Sequence, residues 1–131
     1  IRTAECAGAH GVVIPKRRSV GLTAVVGKAS AGALEYMPVA RVSNITAAIR
    51  ELKQRGVWVY GTAADGDADL YHADLKGPSA IVIGNEGAGM SRLVAESCDL
   101  KVRIPMKGRI SSLNASASAA ILLYEAVRQR G

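Results

Sequence analysis

The sequence predicts an α/β fold with a mainly parallel sheet, and three observations support this prediction. Five strand-like runs alternate with segments of helical length along the 131 residues. Three of these runs are almost continuously apolar, as in strands that are buried on both faces. Ala and Gly are abundant and Phe is absent, so small side chains allow helices to pack closely onto strands. The length favours one domain.

The predicted elements follow one another along the chain. The first residues, IRTAECAGAHG, predict the last turns of a helix that ends at Gly8 or Gly11, with no strand before it, so we expect an N-terminally truncated fragment. The predicted strands are Gly11–Pro15, Met37–Val42, Val57–Gly61, Ala80–Gly84 and Leu100–Pro105. The predicted helices are Leu22–Gly32, Asn44–Arg55 after a Ser43 cap, the short Ser91–Ser97 and the long Leu113–Arg130.

Charge and cysteine content restrict the class of protein. The chain has 17 Lys and Arg against 11 Asp and Glu, a formal charge of +6, which concentrates polyanions such as nucleic acid near the surface. A basic protein without such a partner is the alternative. Cys6 and Cys98 lack the spacing of a disulfide framework or a zinc site, so we expect a reducing cytoplasm. No apolar run approaches the length of a membrane span.

The loop GNEGAGM, after the fourth predicted strand, is the first candidate site. Gly84, Gly87 and Gly89 allow a ligand to approach the backbone closely, and a helix N-terminus follows. The loop lacks the Gly-Lys-Ser/Thr ending of a P-loop and the GxGxxG order of dinucleotide folds, and a tight turn without a ligand is the alternative. Because Glu86 repels phosphate, we predict that it faces a cation, a hydroxyl or a basic side chain.

The segment after the fifth predicted strand is the second candidate site. It carries a polar cluster, interpreted either as ordinary helix caps or as functional groups, at Ser111, Ser112, Asn114 and Ser116. The following helix has a stripe of small and apolar residues at Leu113, Ala117, Ala120, Ile121, Tyr124 and Val127. We predict that this stripe is buried, either within the chain or against a second copy.

Basic residues gather near the same strand ends, at Lys16, Arg17, Arg18, Lys107 and Arg109. They form either a phosphate-binding rim or scattered solvated charge.

The remaining aromatic, histidine and acidic residues give no sign of a site. Trp58 lies inside a predicted strand and is expected in the core. His10 and His72 have no metal-ligand spacing and are expected at the surface or as caps. The alternating acids lack the rest of a calcium loop and predict a solvated turn at Asp65, Asp67 and Asp69.

Three ordered motifs resemble those of the SpoU/TrmH family of RNA ribose 2′-O-methyltransferases. They are IRTAECAGAHGVVIP, AIVIGNEGAGMSRLVAESCDLKVRIPM and SSLNASASAAILLYEAVRQR, and the resemblance covers essentially the whole chain. It is greatest to the bacterial branch that methylates a guanosine of large-subunit ribosomal RNA. The resemblance implies that residues 1–131 are a catalytic domain without its first knot strand and RNA-binding N-terminal domain. It also implies an α/β-knot with a C-terminal trefoil, which general topology rules do not predict.

The resemblance also implies a cofactor. In this family S-adenosylmethionine lies bent in the knot, is held largely by backbone groups, and needs no metal. Carried onto this chain, its contacts are Thr62, Ala63, Gly84, Asn85, Glu86, Gly87, Ile104, Met106, Ser112, Leu113 and Ala115.

Four residues match the family's catalytic positions: Arg2, Glu86, Ser112 and Asn114. The implied reaction is an SN2 transfer of the sulfonium methyl group to a ribose 2′-oxygen, which requires alignment and removal of a proton from a poor nucleophile. Arg2 is commonly cast as the base in this family. Because an unperturbed guanidinium has a pKa above about 12, we favour a role for Arg2 in clamping phosphate and orienting the hydroxyl. Glu86 and Asn114 would hold Arg2 and the loop.

The implied partners are RNA, contacted by the basic residues named above, and a second copy of the chain. The family works as a homodimer, and the long C-terminal helix is the predicted part of the interface. Two alternatives remain open: the tRNA-directed branch of the family, and a non-catalytic RNA-binding module that keeps the fold. Retention of the four catalytic positions argues against the module, because phosphate binding needs only the basic residues.

Overall fold

The computed structural model describes residues 2–16, 37–84, 90–109 and 113–131. The chain divides into two compact units, Ile1–Ile45 and Thr46–Gly131. The predicted helix Leu22–Gly32 lies outside the described residues. Within the described ranges, no helix is long and apolar enough to cross a membrane.

The first unit contains a short helix and two parallel strands. Helix α1 (Arg2–Cys6) is followed by Gly8, whose φ of 79° forms the helix end that the sequence predicts. Strands β1 (Val12–Pro15) and β2 (Val39–Val42) pair in parallel. Both predicted strands are confirmed, although each begins later than expected.

The second unit is built on a four-stranded sheet whose paired strands are all parallel. Its strands are β3 (Trp58–Thr62), β4 (Ala68–Asp69), β5 (Ser79–Val82) and β6 (Leu100–Arg103). Their order, β4-β6-β3-β5, inserts β6 between two earlier strands. The predicted α/β class with a parallel sheet is confirmed, and the knot stays a prediction. β4 was not predicted, because two residues carry no periodic signal.

Three α-helices and one 3-10 turn accompany this sheet. They are α2 (Ile45–Gln54), the 3-10 turn (Leu70–His72), α3 (Arg92–Ser97) and α4 (Ala115–Arg130). Ile45, the first residue of α2, is the last residue of the first unit. Gly56, with φ of 85°, follows the end of α2. The hydroxyl of Ser91 accepts a hydrogen bond from the Val94 N–H and so caps α3. The three predicted helices in this part of the chain are confirmed, each within about two residues.

The core of the second unit lies where α4 and the segment after β4 cover strands β3 and β6. Its buried members are Tyr60, Leu70, Ala73, Leu75, Val102, Leu122 and Ala126. Trp58 is not among them: its side chain is 58% exposed, so the prediction of a core tryptophan is wrong. Trp58 is the first residue of β3 and lines an open depression beside Gly56 and Lys53.

The face of α4 that is buried differs from the predicted stripe. Leu122, Glu125 and Ala126 are buried, whereas Tyr124 and Val127 of the stripe are 48% and 41% exposed. The sequence could not rank these faces, because the buried one contains a carboxylate whose partners come from tertiary contacts. The prediction that the stripe packs within the chain is therefore wrong for Tyr124 and Val127.

Candidate functional site

Three parallel strands of the second unit end at one edge of the sheet. Gly61 of β3 lies opposite Val82 of β5, and Thr62 lies opposite Val102 of β6. The Thr62 hydroxyl donates a hydrogen bond to the Val82 carbonyl at 3.2 Å, and the Ala63 N–H donates one to the Val102 carbonyl at 3.0 Å. The segments after these strands therefore begin side by side, where ligands bind in open parallel sheets.

The structure brings four predicted cofactor residues to this edge: Thr62, Ala63, Gly84 and Ile104. All four are partly buried, and Ile104 packs against the core. Gly84 and Ile104 each come two residues after a strand residue that is hydrogen-bonded to the end of β3. The other predicted residues of the glycine loop and its partner loop lie outside the described residues: Asn85, Glu86, Gly87 and Ser112.

The turn that follows β3 contacts the backbone of β6. A Cβ at Gly66 would lie 2.6 Å from the Val102 carbonyl carbon and 2.8 Å from the Arg103 nitrogen, so only glycine fits without a backbone shift. The Asp67 N–H donates to the Lys101 carbonyl at 2.8 Å, and the Arg103 guanidinium donates to the Gly66 carbonyl at 2.9 Å. These contacts fix the end of β3 against β6.

A second glycine makes room for the residue that ends the glycine loop. A Cβ at Gly61 would lie 2.7 Å from Cε of Met90 and 2.8 Å from Sγ of Cys98. Met90 is the last residue of GNEGAGM, and its side chain packs against β3 at Gly61. Burial raises the pKa of the Cys98 thiol, and the nearby Asp99 carboxylate raises it further. The thiol is therefore protonated near neutral pH and is a poor nucleophile.

The start of α4 carries three further predicted residues. The Asn114 side-chain oxygen accepts a hydrogen bond from the Ala117 N–H at 2.8 Å and caps the helix, which is the ordinary interpretation of this residue. Ala115, the first residue of the helix, is partly buried. Leu113 is 41% exposed, and Met106, in the segment after β6, is 38% exposed. Both side chains present apolar surface that a ligand can cover.

The predicted basic residues belong to both units. Lys107 and Arg109 are exposed in the segment that follows β6. Lys16 is exposed after β1 in the first unit, and Arg2 begins α1 in that unit. Arg17 and Arg18 lie outside the described residues.

The histidines and aspartates lie largely as predicted. His10 and His72 are exposed, as are Asp65 and Asp67. Asp69 differs, because it lies in β4 and its carboxylate accepts a hydrogen bond from the Tyr71 N–H at 2.8 Å. It therefore caps the 3-10 turn instead of pointing into a solvated turn.

Two open depressions in the described part of the chain contain no predicted cofactor residue. One is lined by Tyr71, His72, Ala73, Asp74, Lys76, Arg128 and Gln129, and the other by Lys53, Gly56, Val57, Trp58 and Asp99. The candidate site is therefore defined by the converging strand ends. Sequence reasoning missed Gly61, Gly66 and Met90 as supports of this site, because their contacts join distant segments. The only local signal was a glycine at the end of a predicted strand.

The chain is similar to known proteins along nearly its whole length. A family model described as the SpoU rRNA Methylase family matches residues 1–124. The chain is 53% identical over 130 residues to the 23S rRNA (guanosine-2′-O-)-methyltransferase RlmB of Ralstonia nicotianae. The alignment covers 99% of this chain and 52% of that protein. The chain spans about half the length of the curated relatives that it matches.

Solved structures show the same similarity. The SpoU methyltransferase AviRb from Streptomyces viridochromogenes, in complex with the cofactor AdoMet, has a TM-score of 0.91 at 36% identity, over 98% of this chain and 51% of that one. The TrmH/SpoU tRNA modifying enzyme of A. aeolicus has a TM-score of 0.89 at 29% identity, over 98% of this chain and 66% of that one. The chain therefore belongs to the SpoU rRNA methylase family.

Proposed function

We propose that this chain is the catalytic domain of an enzyme that uses S-adenosylmethionine to methylate a guanosine ribose 2′-oxygen in large-subunit ribosomal RNA. The observation that carries this proposal is the convergence of Thr62, Ala63, Gly84 and Ile104 at one edge of a parallel sheet, in a chain of the SpoU family. The Ralstonia relative is named for this reaction, and the Streptomyces structure contains the cofactor.

The residues that we assign to the cofactor fit it in size and chemistry. Ala63, Gly84 and Ala115 are small, so backbone groups can approach a ligand closely. Met106 and Leu113 add exposed apolar surface suited to a purine ring. The bound cofactor supplies a methyl group activated by a positively charged sulfur.

The chain's own residues would align the ribose and handle its proton. We assign the catalytic positions to Arg2, Glu86, Ser112 and Asn114. Because the Asn114 oxygen already caps α4, we assign Asn114 to holding the loop before α4, not to proton transfer. Arg2 would clamp a phosphate and orient the 2′-hydroxyl, with Glu86 holding the guanidinium.

RNA would be bound electrostatically beside this edge. Lys107 and Arg109 are exposed just beyond Ile104 and Met106, where they can contact phosphates. The same role is proposed for Lys16, Arg17 and Arg18. A ribosomal RNA substrate and the free cysteines Cys6 and Cys98 favour the cytoplasm.

Calorimetry of the intact protein with S-adenosylmethionine tests the cofactor assignment. Leu113→Ala should raise the Kd about tenfold, because it removes apolar surface from the ligand contact. The matched control is Leu93→Ala, which truncates a leucine that is 68% exposed on α3 and should leave the Kd unchanged. Failure of the unaltered protein to bind would favour the non-catalytic RNA-binding module.

Methyl transfer from labelled S-adenosylmethionine to ribosomal RNA and tRNA transcripts tests the substrate. We expect label on a guanosine ribose of the large-subunit RNA, whereas label only on tRNA would support the activity for which the A. aeolicus protein is named. Arg2→Ala and Glu86→Ala should each lower the rate more than about tenfold. A loss below about threefold would contradict their assignment.

We also propose that the protein is a homodimer that uses the exposed face of α4. Tyr124 and Val127 are 48% and 41% exposed on the isolated chain, and a second copy can cover this apolar surface. Tyr124→Asp should therefore yield a monomer in sedimentation experiments at micromolar concentration. An unaltered protein that is already monomeric would contradict the proposal.

A further inference from the structure

The last turn of α4 is hydrogen-bonded to a distant backbone segment, Ala73–Gly77. The Gln129 amide nitrogen donates to the Ala73 carbonyl at 2.8 Å, and its oxygen accepts from the Leu75 N–H at 2.7 Å. The Arg130 guanidinium donates to the carbonyls of Leu75 at 3.1 Å and Gly77 at 2.7 Å. Gln129 and Arg130 therefore contact the segment as a neighbouring strand would.

A buried carboxylate determines the orientation of the Gln129 amide. Glu125 is 5% exposed and accepts hydrogen bonds from Arg128 at 2.7 and 2.8 Å and from the Gln129 amide nitrogen at 2.9 Å. A flipped amide would place its oxygen against the carboxylate and its nitrogen against the Leu75 N–H, so only one orientation satisfies all partners. We call Glu125, Arg128, Gln129 and Arg130 the C-terminal network.

The segment that this network holds is itself fixed to the core. The Leu75 side chain is fully buried. The Tyr60 hydroxyl donates a hydrogen bond to the Asp74 carbonyl, and Tyr60 lies in β3 two residues before Thr62. The end of α4 is thus connected, through Asp74 and Tyr60, to the strand that leads into the candidate site.

The C-terminal network adds directional contacts to the apolar packing of α4. Leu122 and Ala126 pack by apolar contact, which is non-directional. Ala115–Ala120 consists only of Ala and Ser, whose small side chains interdigitate little. Hydrogen bonds are directional and short-ranged, so the C-terminal network fixes the last turn of α4 along the Ala73–Gly77 segment.

We propose that Gln129, oriented by Glu125, is a positioning residue that sets where α4 begins relative to Thr62 and Ala63, and thereby sets the affinity for S-adenosylmethionine. This inference rests on the proposed function, because Asn114 and Ala115 at the first turn of α4 are assigned to that site. The helix of 16 residues separates its two ends by about 24 Å, so Gln129 acts without touching the ligand.

Gln129→Ala in the intact protein tests this proposal by calorimetry with S-adenosylmethionine and by hydrogen exchange. We expect the Kd to rise about fivefold to tenfold with a cooperative unfolding transition retained, since the hydrogen bonds of Gln129 to Ala73, Leu75 and Glu125 are lost. Glu125→Gln, a milder change, should shift the Kd in the same direction by less. The control Glu96→Gln breaks an exposed pair with Arg92 within one helix and should change nothing.

Hydrogen exchange without cofactor separates the network from the proposed function. The amides of Ser118–Ala120, early in α4, should exchange faster in Gln129→Ala than in the unaltered protein. A folded variant with unchanged exchange there and unchanged Kd overturns the proposal, even if its melting temperature falls. If the unaltered protein binds no cofactor, the proposed function fails, and the exchange at the start of α4 then decides the network alone. If Gln129→Ala does not fold, Glu125→Gln supplies both measurements.

Discussion

The two ends of α4 are held in different ways. At its beginning, Asn114 caps the helix, Leu113 is exposed, and the first turns consist of small side chains. At its end, the side chains of Gln129 and Arg130 bond to the backbone of another segment, and the buried Glu125 carboxylate accepts a hydrogen bond from Gln129. The difference teaches that one helix can be anchored to a distant segment at its end and still begin with small side chains.

The strand side of the candidate site is built on the opposite principle. There the support is close contact at two glycines. The backbone at Gly66 packs against the backbone of β6, and Gly61 packs against the flexible side chain of Met90. Four substitutions distinguish these kinds of support, in order of decreasing expected effect on folding.

The largest effect is expected in the apolar middle of α4, between its two ends. Leu122 is fully buried, so Leu122→Ala leaves a cavity and should lower the free energy of unfolding by about 3 kcal/mol. Val127 is 41% exposed, so Val127→Ala should lower the free energy of unfolding by less than about 1 kcal/mol. Urea unfolding measures both. Equal effects would mean that α4 does not bury the face described above.

Gly66→Ala should have the next largest effect. Its Cβ would meet backbone atoms of Val102 and Arg103 at 2.6 and 2.8 Å, and backbone cannot move aside cheaply, so we expect a loss of about 2 kcal/mol. The matched control is Gly77→Ala, where no atom lies within 4 Å of the added Cβ. If the two variants unfold at the same urea concentration, the close contact between the β3–β4 turn and β6 is not present.

The C-terminal network should make stability depend on pH in the acid range. Hydrogen bonds from Arg128 and Gln129 lower the pKa of Glu125 from 4.5 to about 2. Between these values the unfolded chain binds the proton and the folded chain does not, so stability rises with pH. The contribution of Glu125 is therefore complete above about pH 4.5 and is lost as the pH falls through about 2.

Urea unfolding across this pH range checks the prediction. In Glu125→Gln, the loss of stability that Glu125 causes on acidification should be absent. In Glu96→Gln, which changes an exposed ion pair, this loss should remain. A Glu125→Gln variant with the same acid dependence as the unaltered protein would contradict the role of this carboxylate.

Gly61→Ala should have the smallest effect on folding and a clearer effect on the site. The atoms that its Cβ would meet belong to the side-chain ends of Met90 and Cys98, which can move, so we expect a loss of about 1 kcal/mol. Because Met90 is the last residue of GNEGAGM, its displacement should still weaken binding of S-adenosylmethionine. Adding Met90→Ala should restore part of the affinity, and no change in Kd for either variant would show that Met90 does not position the loop.

Much of the fold could be predicted from local signals. Apolar runs marked β1, β2, β3, β5 and β6, and Gly8, Gly56 and Ser91 marked helix boundaries that the structure confirms. β4 was missed because two residues carry no pattern. Thr62, Ala63, Gly84 and Ile104 were assigned through the family resemblance, and the strand register brings them to one edge.

The errors fell where burial depends on contacts between distant segments. Trp58 was expected in the core because aromatic residues in strands are commonly buried, but it stands at the open start of β3. Packing of the α4 stripe within the chain was wrong for Tyr124 and Val127, because the chain buries the face that contains Glu125. Hydropathy ranks a carboxylate as exposed, and only its partners Arg128 and Gln129 make burial favourable.

The sequence by itself determined the alternation of strands and helices, the helix ends and the family, because these depend on residues that are close together in the chain or on ordered motifs. Tertiary structure alone decided the insertion of β6 between earlier strands, the glycine contacts of the site and the C-terminal network. Those features join segments separated by up to 56 positions, as Gln129 and Ala73 are. Hydrogen bonds and close packing act over a few ångströms in space, so they leave no periodic trace in the sequence.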